Sequence, residues 1–206
     1  DGAGAIGSLT ARIHAALASA PGEGMAPRPC GPPELRRLGE EVAQEAEATA
    51  QMLERSGLDP GPARAASARL GALSLPSDDL GLLTRVHGDF HLGQVLTKEG
   101  RFVAIDFEGE PARPLEERRA LQHPLTDVAG MLRSFGYASA AAGAPEAEMP
   151  LRSRYLEAYL GEAARAPAPF LPRNPEVTRR LLALLELRKA LYEVRYELRN
   201  RPQWVS

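Results

Sequence analysis

The chain has 206 residues, 44% of them hydrophobic and 25% charged, with a net charge of −2 and a single cysteine, Cys30. This length suits one domain or a domain with an appendage, and the charge gives no basic footprint for nucleic acid or an anionic membrane. One cysteine rules out an intramolecular disulfide; with no apolar run near the ~20 residues that span a bilayer and no basic-then-apolar leader, a cytoplasmic protein is expected.

In chain order, Ile6, Leu9, Ile13 and Leu17 recur at helical spacing, predicting a helix over 6–17. Residues 21–33 are rich in proline and glycine and read as a loop. A long, charged surface helix is expected over 34–58, carrying Leu35, Leu38, Val42 and Leu53 and ended by Gly57 and Pro60. A shorter helix over 63–73 and a turn at 76–79 follow. Leu82 to Val86 is a short apolar segment. Residues 95–97, 98–100 and 101–105 read as strand, turn and strand, a β-hairpin with Gly100 at its tip. A polar, proline-bounded connection over 111–124 leads into a helix at 125–142. Thr126 is its expected N-cap, with Val128, Met131, Leu132 and Phe135 facing inward. An amphipathic helix over 146–164, a loop over 167–175 and a long helix over 176–200 complete the outline. It is mainly α with one small central hairpin.

The chemistry concentrates in His87-Gly88-Asp89-Phe90-His91-Leu92-Gly93-Gln94 and, past the second hairpin strand, in Asp106-Phe107-Glu108. A loop acid, an amide five positions later and a second acid at a strand end are the parts a kinase-type phosphoryl-transfer site requires. Asp89 would accept the proton of a substrate hydroxyl. Gln94 and Asp106 would offer the hard oxygen ligands that Mg²⁺ prefers, and the ion would bridge the phosphates of ATP. Both acids are expected at the ends of the hairpin strands. His87 is expected to brace the loop through backbone hydrogen bonds, and His91 to pack in the loop or touch substrate. Twenty-three arginines against two lysines, Lys98 and Lys189, leave few ammonium groups. Neither lysine lies where a phosphate-holding strand lysine would, and no glycine-rich phosphate loop precedes the motif.

The histidines allow a different chemistry. His87, Asp89 and His91 form His-x-Asp-x-His, and with His123 they could build a two-histidine, one-carboxylate iron site. That arrangement leaves Gln94 and Asp106 without a role.

The blocks HGDFHLGQVL, IDFEGEP, ERRALQHPLTDVAGMLRSFGYA and KALYEVRYELRNRPQWV closely resemble the maltokinases, including those fused to trehalose synthase. That group is similar to the aminoglycoside phosphotransferases within the protein-kinase superfamily. The resemblance covers about Ile6 to Val205. It implies transfer of the γ-phosphate of ATP to maltose, giving maltose 1-phosphate for α-glucan and glycogen synthesis. Carried over by motif, Asp89 corresponds to the catalytic base, Gln94 stands where most relatives have asparagine, and Asp106 matches the metal-binding aspartate. Asp127 resembles the buried helix aspartate that anchors the catalytic loop from beneath. Glu108, Glu110 and Arg113, in the block particular to this subgroup, are expected to shape the metal site or sugar pocket. Tyr192 and Tyr196, spaced i, i+4 with Glu193 beside them, are candidates for stacking on and hydrogen-bonding a disaccharide.

Whole maltokinases also carry an N-terminal β-rich lobe that holds adenine and supplies a phosphate-binding lysine, and the sequence begins about where that lobe should end. The expectation is therefore a C-terminal lobe alone, residues 1–206, with a catalytic hairpin at about 82–110 and the N-terminal lobe absent. Such a chain would phosphorylate maltose poorly or not at all by itself, because positioning supplies nearly all the catalysis in this reaction. The alternative is a non-catalytic scaffold or docking module derived from a maltokinase, for instance beside trehalose synthase. Intact Asp89, Gln94 and Asp106 favour the catalytic reading.

Overall fold

The computed structural model describes residues 2–20, 22, 25–70, 79–111 and 113–202. Among these are seven α-helices and two short two-stranded antiparallel sheets. The turn expected at 76–79 and the end of the helix expected over 63–73 fall at residues 71–78, outside the described residues apart from Asp79. Trp204 and Val205 of the last resembling block also lie outside them.

Helix α1 (Gly2–Ala18) packs along α6 (Glu148–Ala163), with Ile6 and Ala11 buried against Tyr155 and Tyr159. The two backbones lie so close that a Cβ on Gly7 would collide with the Tyr155 carbonyl. Helix α5 (Leu125–Ala141) forms the centre of this core. Its expected inward residues Val128, Met131, Leu132 and Phe135 are all buried, each contributing about 1.5–3 kcal/mol of apolar transfer.

The start of α5 differs from the expectation. Pro124 holds the N-cap position and Thr126 lies inside the helix, while the Leu125 N–H donates to His123 Nδ1 at 3.2 Å. A ring nitrogen thus satisfies one of the donors that every helix start leaves unpaired.

Helix α2 (Pro32–Arg55) begins on two prolines, which suit the first turn, and the Glu34 carboxylate accepts the Gly31 N–H at 3.0 Å. It is less of a surface helix than its charge suggests. Val42, Ala46, Ala50 and Leu53 are buried with Leu184 and Leu191 of α7 (Pro175–Asn200), forming a second core. The seam rests largely on alanines, which a search for large apolar residues passes over. Helix α3 (Gly61–Leu70) packs beside α2.

Strands β3 (Val95–Lys98) and β4 (Arg101–Ala104) form the expected hairpin, with Val95 opposite Ala104 and Lys98 opposite Arg101. Glu99 and Gly100, at φ 51° and 75°, both sit in the left-handed region, as a two-residue hairpin turn demands. The second sheet was not foreseen. In it β1 (Arg28–Pro29) pairs with β2 (Leu82–Leu83), drawing the proline-rich segment to the residues that lead into the histidine loop. A short 3₁₀ turn (Leu92–Gln94) leads into β3, and the five-residue α4 (Leu115–Arg119) precedes α5. Among the described residues no helix is long and apolar enough to cross a membrane.

Candidate active site

Asp127, in the first turn of α5, lies directly beneath the histidine loop and is buried. Its Oδ2 accepts the His87 N–H at 2.8 Å and its Oδ1 the Gly88 N–H at 2.9 Å. Oδ2 also meets Nε2 of His14 at 3.0 Å. His14 comes from α1 and is itself buried, with Nδ1 3.0 Å from the Tyr159 hydroxyl. Burial holds the Tyr159 pKa well above its ordinary value, so the phenol keeps its proton. It donates to Nδ1, which leaves Nε2–H to donate to Asp127. Beside this chain, Tyr155 donates to Thr10 Oγ1 at 3.2 Å, and Thr10 donates to the Ile6 carbonyl at 2.8 Å.

The loop itself depends on close backbone approach. Gly88 has φ 86°, and a Cβ there would press on Gly109 Cα at 3.2 Å. A Cβ on Gly130 would lie 2.6 Å from the Phe90 carbonyl oxygen, so the absence of a side chain lets the loop rest on α5. The His87 ring lies between Phe90 and Phe107, with centroids 4.9 and 4.8 Å away, and its Nε2 donates to the Ile105 carbonyl at 2.7 Å. His87 thereby ties the Asp89 loop to the segment that carries Asp106. The sheet places the two acids differently from the expectation. Asp106 follows β4 by two residues, whereas Asp89 is off the hairpin altogether, on a loop held by α5. A side-chain anchor 39–40 residues downstream fixes it, not a β ladder.

Gln94 and Asp106 are brought together: Gln94 Nε2 donates to Asp106 Oδ2 at 3.0 Å, and the Ile105 N–H donates to the Gln94 carbonyl at 3.0 Å. Asp106 has φ 64°, a conformation few residues other than glycine adopt, and it turns the carboxylate toward Gln94. The exposed Asp106 carboxylate and the amide oxygen of the partly buried Gln94 suit Mg²⁺, which takes one or two protein oxygens and completes its shell with phosphates and water.

Asp89 lines a cavity of about 790 Å³ between α2, α7 and the two loops, together with Glu110, Arg113, Arg188, Lys189 and Tyr192. The size is typical of small-molecule sites. Lys189 Nζ stands 3.5 Å from Asp89 Oδ1 and 5.2 Å from the centroid of the Tyr192 ring. Glu110 is buried and accepts from Arg113 Nε at 3.0 Å. Burial pushes the Glu110 carboxyl up, but the Tyr192 hydroxyl, Lys189 and Arg113 outweigh it and hold the pKa below the usual 4.5. Tyr192 moves the opposite way, raised by burial and then by Glu110 and Asp89. Arg188 is paired with Glu41 at 3.5 Å, and burial and the charge of Arg113 lower its pKa.

Other expected residues lie elsewhere. Glu108 is exposed and outside the cavity lining; Gly109 at φ 74° turns Glu110 inward in its place. The His91 ring accepts the Gly93 N–H at 3.1 Å as a cap for the 3₁₀ turn, and His91 is likewise not in the lining. Glu193 faces α5, where Arg133 donates to it at 2.8 Å. Tyr196 stacks on Tyr192 with centroids 6.4 Å apart but is 46% exposed and outside the cavity. The aromatic and acidic trio of the last helix is therefore split, with Tyr192 alone facing the cavity.

The iron arrangement fails on geometry. His87 Nε2 is committed to Ile105, and His123 Nε2 meets the Leu80 carbonyl at 3.0 Å. Among the described residues no three His, Cys, Asp or Glu side chains converge on one point. Sequence reading also passed over His14 and Tyr159, 113 and 145 positions from their partners, and the approach of Lys189 to Asp89. The one hint was compositional, since only two lysines occur in the chain.

Residues 1–171 match the model of the phosphotransferase enzyme family. The chain is 33% identical over 213 residues to a glucosamine kinase of Streptacidiphilus jiangxiensis, covering 97% of this chain and 46% of that protein. A glucosamine kinase of Mycolicibacterium smegmatis is 32% identical over 135 residues, 58% of this chain and 31% of the relative. A solved glucosamine kinase in complex with glucosamine, ADP and inorganic phosphate superposes with a TM-score of 0.80 at 29% identity, covering 99% of this chain and 51% of that one. A second crystal form gives 0.77 at 30% identity, with coverage of 99% and 50%. The chain spans about half the length of the relatives it matches.

Proposed function

Since the chain belongs to the phosphotransferase enzyme family, we propose that it carries the base, the metal-binding pair and the sugar-facing wall of an ATP-dependent sugar kinase. One observation carries this reading. Asp127 fixes the loop so that Asp89 faces the cavity, and His87 ties that loop to the segment where Gln94 and Asp106 meet.

Asp89 accepts the proton of the attacking sugar hydroxyl and orients its oxygen; help of this kind is worth ~10²–10⁴ in rate. Gln94 and Asp106 would hold Mg²⁺, and the bound ion would supply charge compensation for the phosphates of ATP. His87 and Asp127 keep the loop in place. Glu110, Tyr192 and Arg113 present a carboxylate, a phenol and a guanidinium to the sugar, while α2 and α7 exclude bulk water from around it.

Glucosamine is the first sugar to test, because the relatives that span most of this chain are glucosamine kinases. Maltose is the second, favoured by the FEGEP block and by a cavity of about 790 Å³ that has room for a disaccharide. The experiment is a coupled assay of ADP release with ATP·Mg²⁺ and each sugar, on the complete gene product. Sugar-dependent ADP release that falls about 10²–10⁴-fold in Asp89→Asn supports the assignment. A wild-type protein inert toward both sugars rejects it and favours the non-catalytic module, whereas an Asp89→Asn variant of full activity rejects Asp89 as the base.

A further inference from the structure

Lys189 is one of two lysines among twenty-five basic residues, and it stands beside the proposed base. The other cavity cations are engaged with acids of their own. Arg113 holds Glu110 at 3.0 Å, Arg188 faces Glu41 at 3.5 Å, and Arg195 pairs with Glu45. The ion pair that Lys189 makes is with Asp89 itself, at 3.5 Å, both side chains being about a quarter exposed. The four residues after Asp89 are Phe90, His91, Leu92 and Gly93. They bring no fixed cation to the loop, and the His91 ring is used as a cap.

An aspartate locked to an ammonium is a poor proton acceptor, because the pair stabilises the charged form that must be discharged. The contact here is not locked. At 3.5 Å it is longer than the ≈ 2.7–2.9 Å of a charge-assisted hydrogen bond. Lysine is also a compact point charge on a flexible stem, unlike the rigid fork of arginine. A short swing would free Asp89 and carry the charge toward the group arriving at the sugar oxygen. In phosphoryl transfer, negative charge spreads over the oxygens of the transferred group, and a nearby cation stabilises it.

We propose that Lys189 is a catalytic cation: it pairs with Asp89 while the site is empty, and it turns to the transferred phosphoryl group once sugar and nucleotide are in place. This rests on the kinase reading above. In the step, the sugar oxygen forms a bond to the γ-phosphorus, and the bond from that phosphorus to its bridging oxygen breaks, the electron pair leaving on ADP. The hydroxyl proton passes to Asp89, and Lys189 undergoes no covalent change.

The test uses the complete gene product with Lys189→Met and Lys189→Arg. Lys189→Met is expected to lower kcat about 100-fold, with the sugar KM changed less than about threefold. Lys189→Arg, which keeps the charge without the compact ammonium, recovers about tenfold of that loss. A second readout needs no turnover. Calorimetric affinity for ADP with aluminium fluoride and glucosamine falls about 100-fold in Lys189→Met, whereas affinity for ADP alone is unchanged. Three results overturn the inference: an unaltered kcat, a defect confined to KM, or equal weakening of ADP and of the fluoride complex. Failure of the kinase reading looks different. The wild-type protein then consumes no ATP with either glucosamine or maltose, and the inference falls with it.

Discussion

The two sides of the loop carrying Asp89 are built on opposite plans. Beneath it, Asp127, His14 and Tyr159 are buried and fully partnered over distances of 2.8–3.0 Å. Above it, Asp89, Lys189 and Tyr192 are only partly buried and joined by a 3.5 Å ion pair and a 5.2 Å ring contact. The contrast shows where rigidity is needed. A side that sets the position of a reacting atom tolerates no slack, whereas a side that must admit substrate and rearrange its charges cannot be saturated in advance.

Substitutions below the loop should therefore act on stability and those above it on chemistry. Asp127→Ala is expected to do the most damage. It strands two backbone N–H groups and the His14 ring in a dry interior, costing about 3–5 kcal/mol, read as a lower midpoint in denaturant unfolding. If Asp127→Ala unfolds at the wild-type midpoint, the idea of a rigid underside is wrong. Gly130→Val comes next, at about 1–3 kcal/mol, since any side chain there meets the Phe90 carbonyl. This variant is expected to lower activity at temperatures where it remains folded, because the loop moves with it.

The pH dependence sharpens the same contrast. His123 is buried against the Leu80 carbonyl, and burial lowers its pKa from 6.5 to about 4. The folded form binds this proton less readily than the unfolded chain. Stability from this residue is thus fully present above pH 6.5 and lost as pH falls toward about 4, by about 3 kcal/mol in all. Unfolding curves of the wild type should weaken across that window more than those of His123→Gln; parallel curves would contradict it. At the small end, Tyr196→Ala on the exposed side of α7 should shift stability by no more than about 0.5 kcal/mol and leave sugar KM unaltered, as calorimetry and steady-state rates would show.

The parts legible in the sequence were those written in neighbouring residues. The hairpin announced itself through alternation and a glycine tip, and its register follows from Glu99 and Gly100 in the turn. The helices of the main core were set by leucine and valine spacing. The Gln94–Asp106 contact, twelve positions apart, follows once that hairpin is accepted. What escaped depends on folding over long separations or on the absence of atoms. His14 carries no local signal, because its partner Asp127 lies 113 positions away. The choice of Glu110 over Glu108 turns on Gly109, whose left-handed φ shifts which acid points inward. Alanines at 46 and 50 carried no hydrophobic signal, although they form the seam by which α2 reaches α7.

That seam has a consequence of its own. Helix α2 supplies one wall of the cavity, while the hydrogen bonds that fix the loop come from Asp127 on α5 and, behind it, His14 on α1; the standoff of α2 from α7 acts as a spacer, set by how small residues 46 and 50 are. Glycine or valine in place of either alanine would narrow or widen the chamber and leave the Asp127 hydrogen bonds beneath the loop in place.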